Sequence, residues 1–161
     1  MIVLKIGSAL ISSNENLSDK LIKSITGQIN NFIKKGINFV IVTSGAISQG
    51  QKILNINQKP NELESLQALA AIGQQQLMGM YERSFQDYNL LTAQVLLTHA
   101  DMNDIQRYSN AKATIKKILS MNVVPIINEN DVVATDEIKL GDNDALAAMV
   151  SNLLNADLMI I

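Results

Sequence analysis

Residues Ile126 to Ala148 read I-I-N-E-N-D-V-V-A-T-D-E-I-K-L-G-D-N-D-A-L-A-A. An apolar run ends at Ile127, and the polar segment Asn128 to Asp131 follows it directly. After a short excursion the chain returns to Gly141 to Asp144, where a helical pattern begins. The first segment is predicted to lie at a strand end and the second at a helix start, so that both converge on one small ligand.

The same stretch carries six carboxylates, and a solvated acidic loop is the alternative interpretation. A ligand site is favoured because open α/β sheets bind ligands where strands end, and because a helix start holds anions. A calcium-binding loop is excluded. Counted from Asp142, the fifth, sixth and twelfth positions are Leu146, Ala147 and Leu153, where that motif needs an oxygen ligand, glycine and glutamate.

Composition limits the possible functions. The 161 residues are enough for one domain, and 47% hydrophobic with 17% charged residues is typical of a folded protein. No Cys and a single His exclude disulfides, thiol chemistry and His- or Cys-based metal centres, so no metal-binding residue is assigned. The net charge of −2 and the lack of Trp give no nucleic-acid footprint. With neither a signal-peptide pattern nor a long apolar run, we expect a cytoplasmic protein that does not bind membranes.

Apolar runs alternate with helical periodicities along the chain, which predicts an α/β fold with a mainly parallel sheet. The predicted strands are 2–6, 38–42, 90–98, 123–127 and 158–161. The predicted helices are 18–36 with Ser18 as N-cap, 60–88 with a capping box of Asn61 and Glu64, 104–121 and 145–155. Pro125 cannot donate to a sheet ladder, so we expect a bulge or an edge position there. The apolar strand at 158–161 predicts that more sheet follows and that the sequence is a fragment.

Lys5 is the one charged residue in the first strand. An unpaired ammonium is costly to bury, so Lys5 is expected either at an exposed end of the sheet or against an anion such as a phosphate. The turn after the second strand, Thr43 to Gly50, is rich in small residues and is predicted to bind an anion at a helix start. Its glycines could alternatively serve tight packing alone. It is not a P-loop, because Gln51 occupies the position of the obligatory lysine.

Two glycines lie inside the predicted helix 60–88, Gly73 and Gly79. Each costs about 1 kcal/mol of helix stability relative to alanine. We therefore expect another element to approach the helix closely at both positions, either within a crowded core or at a subunit contact.

Four segments together resemble a known family. They are V-T-S-G-A-I-S-Q-G (42–50), A-Q-V-L-L-T-H-A-D (93–101), V-V-P-I-I-N-E-N-D-V-V-A (123–134) and G-D-N-D-A-L-A-A (141–148). In this order they are similar to the glutamate 5-kinases of the amino acid kinase superfamily. The resemblance implies a three-layer αβα sandwich and the ATP- and Mg²⁺-dependent phosphorylation of the L-glutamate γ-carboxylate, the first step of proline biosynthesis. It also implies a homo-oligomer, either a dimer or a tetramer.

The resemblance further implies a role for each matching residue. Lys5 would contact the ATP phosphates, beside Gly7 and Ser8, and Asp144 would organise the catalytic lysines. The glutamate-binding positions would be Ser44, Gly45, Ala46, Asn128, Asp131, Asp142 and Asn143.

The family continues into a nucleotide-contacting turn and a second phosphate-binding lysine, and neither lies within these 161 residues. Residues 1–161 are therefore predicted to be the substrate-binding N-terminal portion of an amino acid kinase domain, without its nucleotide-binding C-terminal portion. Two alternatives stay open. One is a sibling kinase that acts on another carboxylate or a carbamate, and the other is a non-catalytic amino-acid-binding module.

Overall fold

The computed structural model describes residues 1–12, 15–134 and 143–161. Within these ranges the strands are β1 (Ile2–Ile6), β2 (Phe39–Thr43), β3 (Leu91–Leu97), β4 (Val123–Glu129) and β5 (Leu158–Ile160). The helices are α1 (Ser8–Ser12), α2 (Glu15–Ile33), α3 (Ala46–Ile53), α4 (Leu63–Gln86), α5 (His99–Asn103), α6 (Ile105–Ser120) and α7 (Asp144–Leu154).

The five strands form one sheet in the order β3-β4-β2-β1-β5, and every neighbouring pair is parallel. The α/β class and the parallel sheet predicted from the sequence are confirmed. Because all strands run the same way, their carboxyl ends lie at one edge of the sheet. Lys5 near the end of β1, Ser44 after β2 and Asn128 near the end of β4 are thereby brought to the same edge.

Side chains alternate along each strand, and this divides the core into two layers. Ile41 of β2 belongs to one cluster with Leu77, Tyr81 and Phe85 of α4 and with Ile22 and Ile29 of α2. Its neighbours Val40 and Val42 belong to a second cluster, with Ile115 of α6 and Leu146 and Val150 of α7. Helices therefore cover both faces of the sheet, which confirms the predicted three-layer αβα sandwich.

The predicted helix caps were wrong at two helices. Ser18 is not an N-cap, because α2 begins three residues earlier and the buried Ser18 Oγ donates to the Ile11 carbonyl at 3.2 Å. The capping box of Asn61 and Glu64 does not form either, since the N-cap is Glu62 and makes no side-chain capping bond. Helix α5 was missed, although Thr98 and Asp101 form a capping box at its start.

Pro125 lies in a central strand, so its predicted edge position was wrong. Strand β4 pairs with β3 over seven consecutive residues, with Pro125 opposite Ala93 and no offset in register. Its pairing with β2 involves only Ile126 and Ile127. The residue that lacks an N–H therefore sits just before that second ladder begins, which explains how proline is tolerated there.

Helices α3 and α4 cross with their backbones in contact. A Cβ on Gly73 would lie 1.8 Å from the Ala46 carbonyl oxygen, and one on Gly50 would lie 2.1 Å from the Leu69 carbonyl oxygen. The expected close approach at Gly73 is confirmed, and it occurs within the core. At Gly79 no second element of the described chain approaches, because a Cβ there would meet the Arg83 Nη1 atom of the same helix, at 3.1 Å. The core alternative is therefore wrong for Gly79, and a subunit contact there stays a prediction.

None of the helices in the described part of the chain combines the length and the apolar character that crossing a membrane requires.

Candidate functional site

A buried cation occupies the carboxyl edge of the sheet. Lys5 has a side chain only 8% exposed, and its Nζ lies 2.6 Å from Oδ1 of Asp144, the first residue of α7. The Nζ atom also lies close to the turn after β1, since a Cβ on Gly7 would be 3.6 Å from it. Of the two expectations for Lys5, the exposed lysine is excluded by this burial. The side chain instead joins the end of β1 to the start of α7.

The turn after β2 leads directly into the start of α3. Gly45 adopts φ 108°, and a Cβ there would lie 2.9 Å from Ile11, so glycine is required both by conformation and by space. As the N-cap residue, Gly45 provides no side-chain capping bond. The buried Ser44 Oγ has no hydrogen-bond partner among the described residues. A buried hydroxyl without a partner beside an uncapped helix start is suited to receive a polar or anionic ligand.

A short polar network connects β2, β4 and α7. Asn143 Nδ2 donates both to the Thr43 carbonyl and, at 2.7 Å, to Asn128 Oδ1. Both asparagines are buried, at 6% and 2% exposure. The predicted convergence of the two polar segments is therefore confirmed for Asn128 and Asn143. The predicted site residue Asp142 lies outside the described residues.

Asp131 follows β4 in a turn and is partly buried. Burial raises the pKa of its carboxyl group from the ordinary value of 3.8 to about 6, and the positive charge of Lys59 opposes this shift. At pH 7 the carboxyl group is still mostly ionised. Because it is also partly buried, this carboxylate is suited to bind a cationic group of a ligand.

Gly7 joins β1 to the short helix α1, which begins at Ser8. Gly7 lies close to the Lys5 Nζ, and the contact of Gly7 and Ser8 with ATP stays a prediction. Clusters of three or more His, Cys, Asp or Glu side chains that could hold a metal ion do not occur among the described residues.

A model of the amino acid kinase family matches residues 1–161. The chain belongs to the amino acid kinase family. It is 47% identical to a glutamate 5-kinase of Nitrosospira multiformis and 49% identical to one of Laribacter hongkongensis, over 99% of its own length in each case. These relatives confirm the resemblance seen in the motifs. The chain spans 43% of the length of each of them.

Solved structures show the same fold. A carbamate kinase from Giardia lamblia bound to AMP-PNP superposes with a TM-score of 0.62 at 14% identity, over 99% of this chain and 72% of that one. At this level of identity the likeness concerns the fold alone.

Two sets of contacts near the site were not found by sequence reasoning. Glu129 ends β4 with a side chain 2% exposed, and its Oε2 lies 3.9 Å from Nδ1 of His99 at the start of α5. The sequence signal that could have identified Glu129 is its position within the polar segment Asn128 to Asp131. Gln74 of α4 accepts a hydrogen bond from Asn128 Nδ2 at 2.7 Å and donates to Gln94 of β3 at 3.0 Å. Gln74 carried no signal, because it begins a run of three glutamines.

Proposed function

We propose that the protein transfers the γ-phosphoryl group of ATP to the γ-carboxylate of L-glutamate, with Mg²⁺, as the first step of proline biosynthesis. The observation that carries this proposal is the ion pair between the buried Lys5 and Asp144, with Nζ and Oδ1 2.6 Å apart. Asp144 directly follows Asn143, so the cation stands next to the polar network. The names of the relatives, which are glutamate 5-kinases, support the choice of substrate.

The reaction joins two anions, and the site is suited to that task. A glutamate side-chain carboxylate has a pKa near 4.3, so at pH 7 it is already the nucleophile and needs no general base. One of its oxygens attacks the terminal phosphorus as the bond to the leaving ADP breaks, which gives γ-glutamyl phosphate and ADP. Lys5 supplies positive charge for the phosphoryl oxygens, and the N–H groups at the start of α3 supply further donors.

Mg²⁺ would arrive with the nucleotide. This ion usually keeps several waters and binds substrate phosphates together with one or two carboxylates, which agrees with the lack of a larger acidic cluster among the described residues. When bound, it neutralises charge on the phosphates.

Substrate recognition would use the remaining site residues. The Asp131 carboxylate pairs with the α-ammonium of the amino acid, as a charge-assisted hydrogen bond. Ser44, Gly45 and Ala46 face the substrate with one hydroxyl and backbone N–H groups. Asn128 and Asn143, which are hydrogen-bonded to each other, form one side of the glutamate site. Asp142, the residue before Asn143, would belong to the same side.

Residues 1–161 would form the substrate-binding portion of the kinase domain, and the rest of the ATP site would be contributed from outside this portion. Because the chain spans 43% of its relatives' length, the proposed activity is that of the longest natural product of the gene. We expect that product to be a cytoplasmic homo-oligomer, a dimer or a tetramer.

A hydroxylamine trap tests the proposal. The longest natural product is incubated with ATP, Mg²⁺ and hydroxylamine, in parallel with L-glutamate, N-acetylglutamate, aspartate or carbamate, and acyl hydroxamate and ADP are measured. Hydroxamate from glutamate alone is expected. Turnover with another acid would assign the protein to a sibling kinase instead. Glutamate binding without any turnover would identify a non-catalytic amino-acid-binding module.

A further inference from the structure

A chain of four side-chain amides leads from the site to the outer strand of the sheet. Asn143 donates to Asn128, Asn128 to Gln74, and Gln74 to Gln94, at 2.7, 2.7 and 3.0 Å. Asn143 is the N-cap residue of α7, and Asn128, Gln74 and Gln94 lie on β4, α4 and β3 respectively. We name this chain, Asn143–Asn128–Gln74–Gln94, the amide relay.

One end fixes the direction of the whole relay. Asn143 also donates to the Thr43 backbone carbonyl, which can only accept a hydrogen bond. The amide nitrogen of Asn143 must therefore face Thr43 and Asn128, and each following amide must present its oxygen to the residue before it. Both amide hydrogens of Asn143 are used in this way. A ligand can meet this side chain only at Oδ1, an acceptor, which is suited to an ammonium group.

Gln74 lies next to the close contact between α3 and α4. It follows Gly73, which packs against the backbone of α3: a Cβ on Gly73 would lie only 1.8 Å from the Ala46 carbonyl oxygen. Ala46 belongs to the turn that forms the opposite side of the site. Two adjacent positions of α4 thus connect the two sides of the site: Gly73 packs on Ala46, and Gln74 accepts the hydrogen bond from Asn128.

We propose that Gln74 is a positioning residue for substrate binding, a role that rests on the proposed function. It sets the amide orientation of Asn128 and, through it, of Asn143, and it fixes the distance between these amides and the Ser44–Ala46 turn. It does not contact the transferred phosphoryl group. Its loss should therefore affect the binding of the amino acid and leave the binding of ATP unchanged.

Two substitutions at Gln74 separate positioning from packing. Gln74→Met keeps the length of the side chain and removes its hydrogen bonds, whereas Gln74→Glu keeps an oxygen acceptor for Asn128. Gln75→Met is the matched control, because Gln75 is exposed on the same helix. Loss of one partly buried hydrogen bond should raise the glutamate KM about 10-fold in Gln74→Met, with the ATP KM within about 2-fold of wild type. Gln74→Glu should restore most of the loss, and Gln75→Met should behave as wild type.

The measurement uses the longest natural product of the gene, with steady-state kinetics and the ¹⁵N–¹H side-chain amide signals of Asn128 and Asn143. Gln74→Met should shift both sets of amide signals, and Gln74→Glu should return them towards wild type. Unchanged amide signals and an unchanged glutamate KM in Gln74→Met would overturn the proposal. So would an equal rise of both KM values together with no rescue by Gln74→Glu, which is the signature of a merely structural role. A wild-type protein that yields no hydroxamate would contradict the proposed function, and the amide signals would still report whether Gln74 orients the two asparagines.

Discussion

The two sides of the site are held in place by different kinds of contact. The glycine side, which we define as the Ser44–Ala46 turn with Gly50 and Gly73, is positioned by backbone packed directly on backbone. The amide side, defined as Asn128, Asp131 and Asn143, is positioned by side-chain hydrogen bonds and by partial burial. Backbone contacts leave no room for a larger residue, whereas a hydrogen bond can be removed with the fold intact. Substitutions on the glycine side should therefore affect folding, and those on the amide side should affect binding.

The largest effect is expected from Gly73→Ala. The new methyl group would lie 1.8 Å from the Ala46 carbonyl oxygen and 2.4 Å from the Gly50 backbone nitrogen. Neither atom belongs to a flexible side chain, so α3 and α4 must move apart. We expect a loss of about 3 kcal/mol or more in the free energy of unfolding, measured by urea denaturation.

Gly79→Ala is the matched control, since it makes the same change in the same helix. There the new methyl group meets only the end of the Arg83 side chain, at 3.1 Å. The gain in helix propensity, about 1 kcal/mol, should make this variant as stable as wild type or slightly more stable. Equal stabilities of the two alanine variants would show that backbone packing does not hold the glycine side.

Lys5→Met should leave the fold intact and lower turnover. Its partner Asp144 is 43% exposed and can be hydrated once the ammonium is removed. Loss of a charge directed at the transferred phosphoryl group should reduce kcat about 100- to 1,000-fold, with little change in the glutamate KM. Steady-state kinetics and thermal unfolding of the same preparation measure both properties. Wild-type turnover in Lys5→Met would show that this lysine does not serve the phosphates.

The sequence predicted the sheet better than it predicted the contacts around the site. Apolar runs such as Phe39 to Val42 identify buried strands directly, and the polar segments around Asn128 and Asn143 mark a strand end and a helix start. Helix caps were predicted less well. Ser18 and Asn61 are good caps by residue type, yet α2 begins three residues before Ser18, and the N-cap of α4 is Glu62. Gln74 could not be selected from Gln74–Gln76, since only the position of α4 against β4 distinguishes one amide from the next.

The pH dependence of glutamate binding tests the role of Asp131. Its pKa of about 6 means that the carboxylate becomes protonated as the pH falls from 7.5 to 5.5. The dissociation constant for glutamate, measured by calorimetry without ATP, should therefore rise over this interval. Asp131→Asn should bind about 10- to 100-fold more weakly at pH 7.5, with a nearly flat profile. A wild-type profile as flat as that of Asp131→Asn would remove Asp131 from the ammonium site.

The same shift has a consequence for folding stability, with a defined sign. Between pH 3.8 and about 6 the folded protein keeps a proton on Asp131 that the unfolded chain has released. The contribution of this group to stability therefore falls as the pH rises through that window. Asp131→Asn removes this contribution. The unfolding free energy of the variant, relative to that of wild type, should therefore increase from pH 4 to pH 7.

The smallest effect is expected from Lys59→Gln. Lys59 is exposed, and its charge lowers the pKa of Asp131 through solvent. Its removal should move the midpoint of the glutamate-binding profile to higher pH by less than about 0.5 unit, and 0.5 M salt should remove most of the difference. Lys34→Gln is the matched control, because it makes the same charge change. Lys34 follows α2 and precedes β2, so it lies towards the opposite edge of the sheet. This variant should leave the midpoint of the glutamate-binding profile unchanged. A salt-insensitive shift in Lys59→Gln would indicate that Lys59 acts by direct contact, and the amide side would then include a second charged residue.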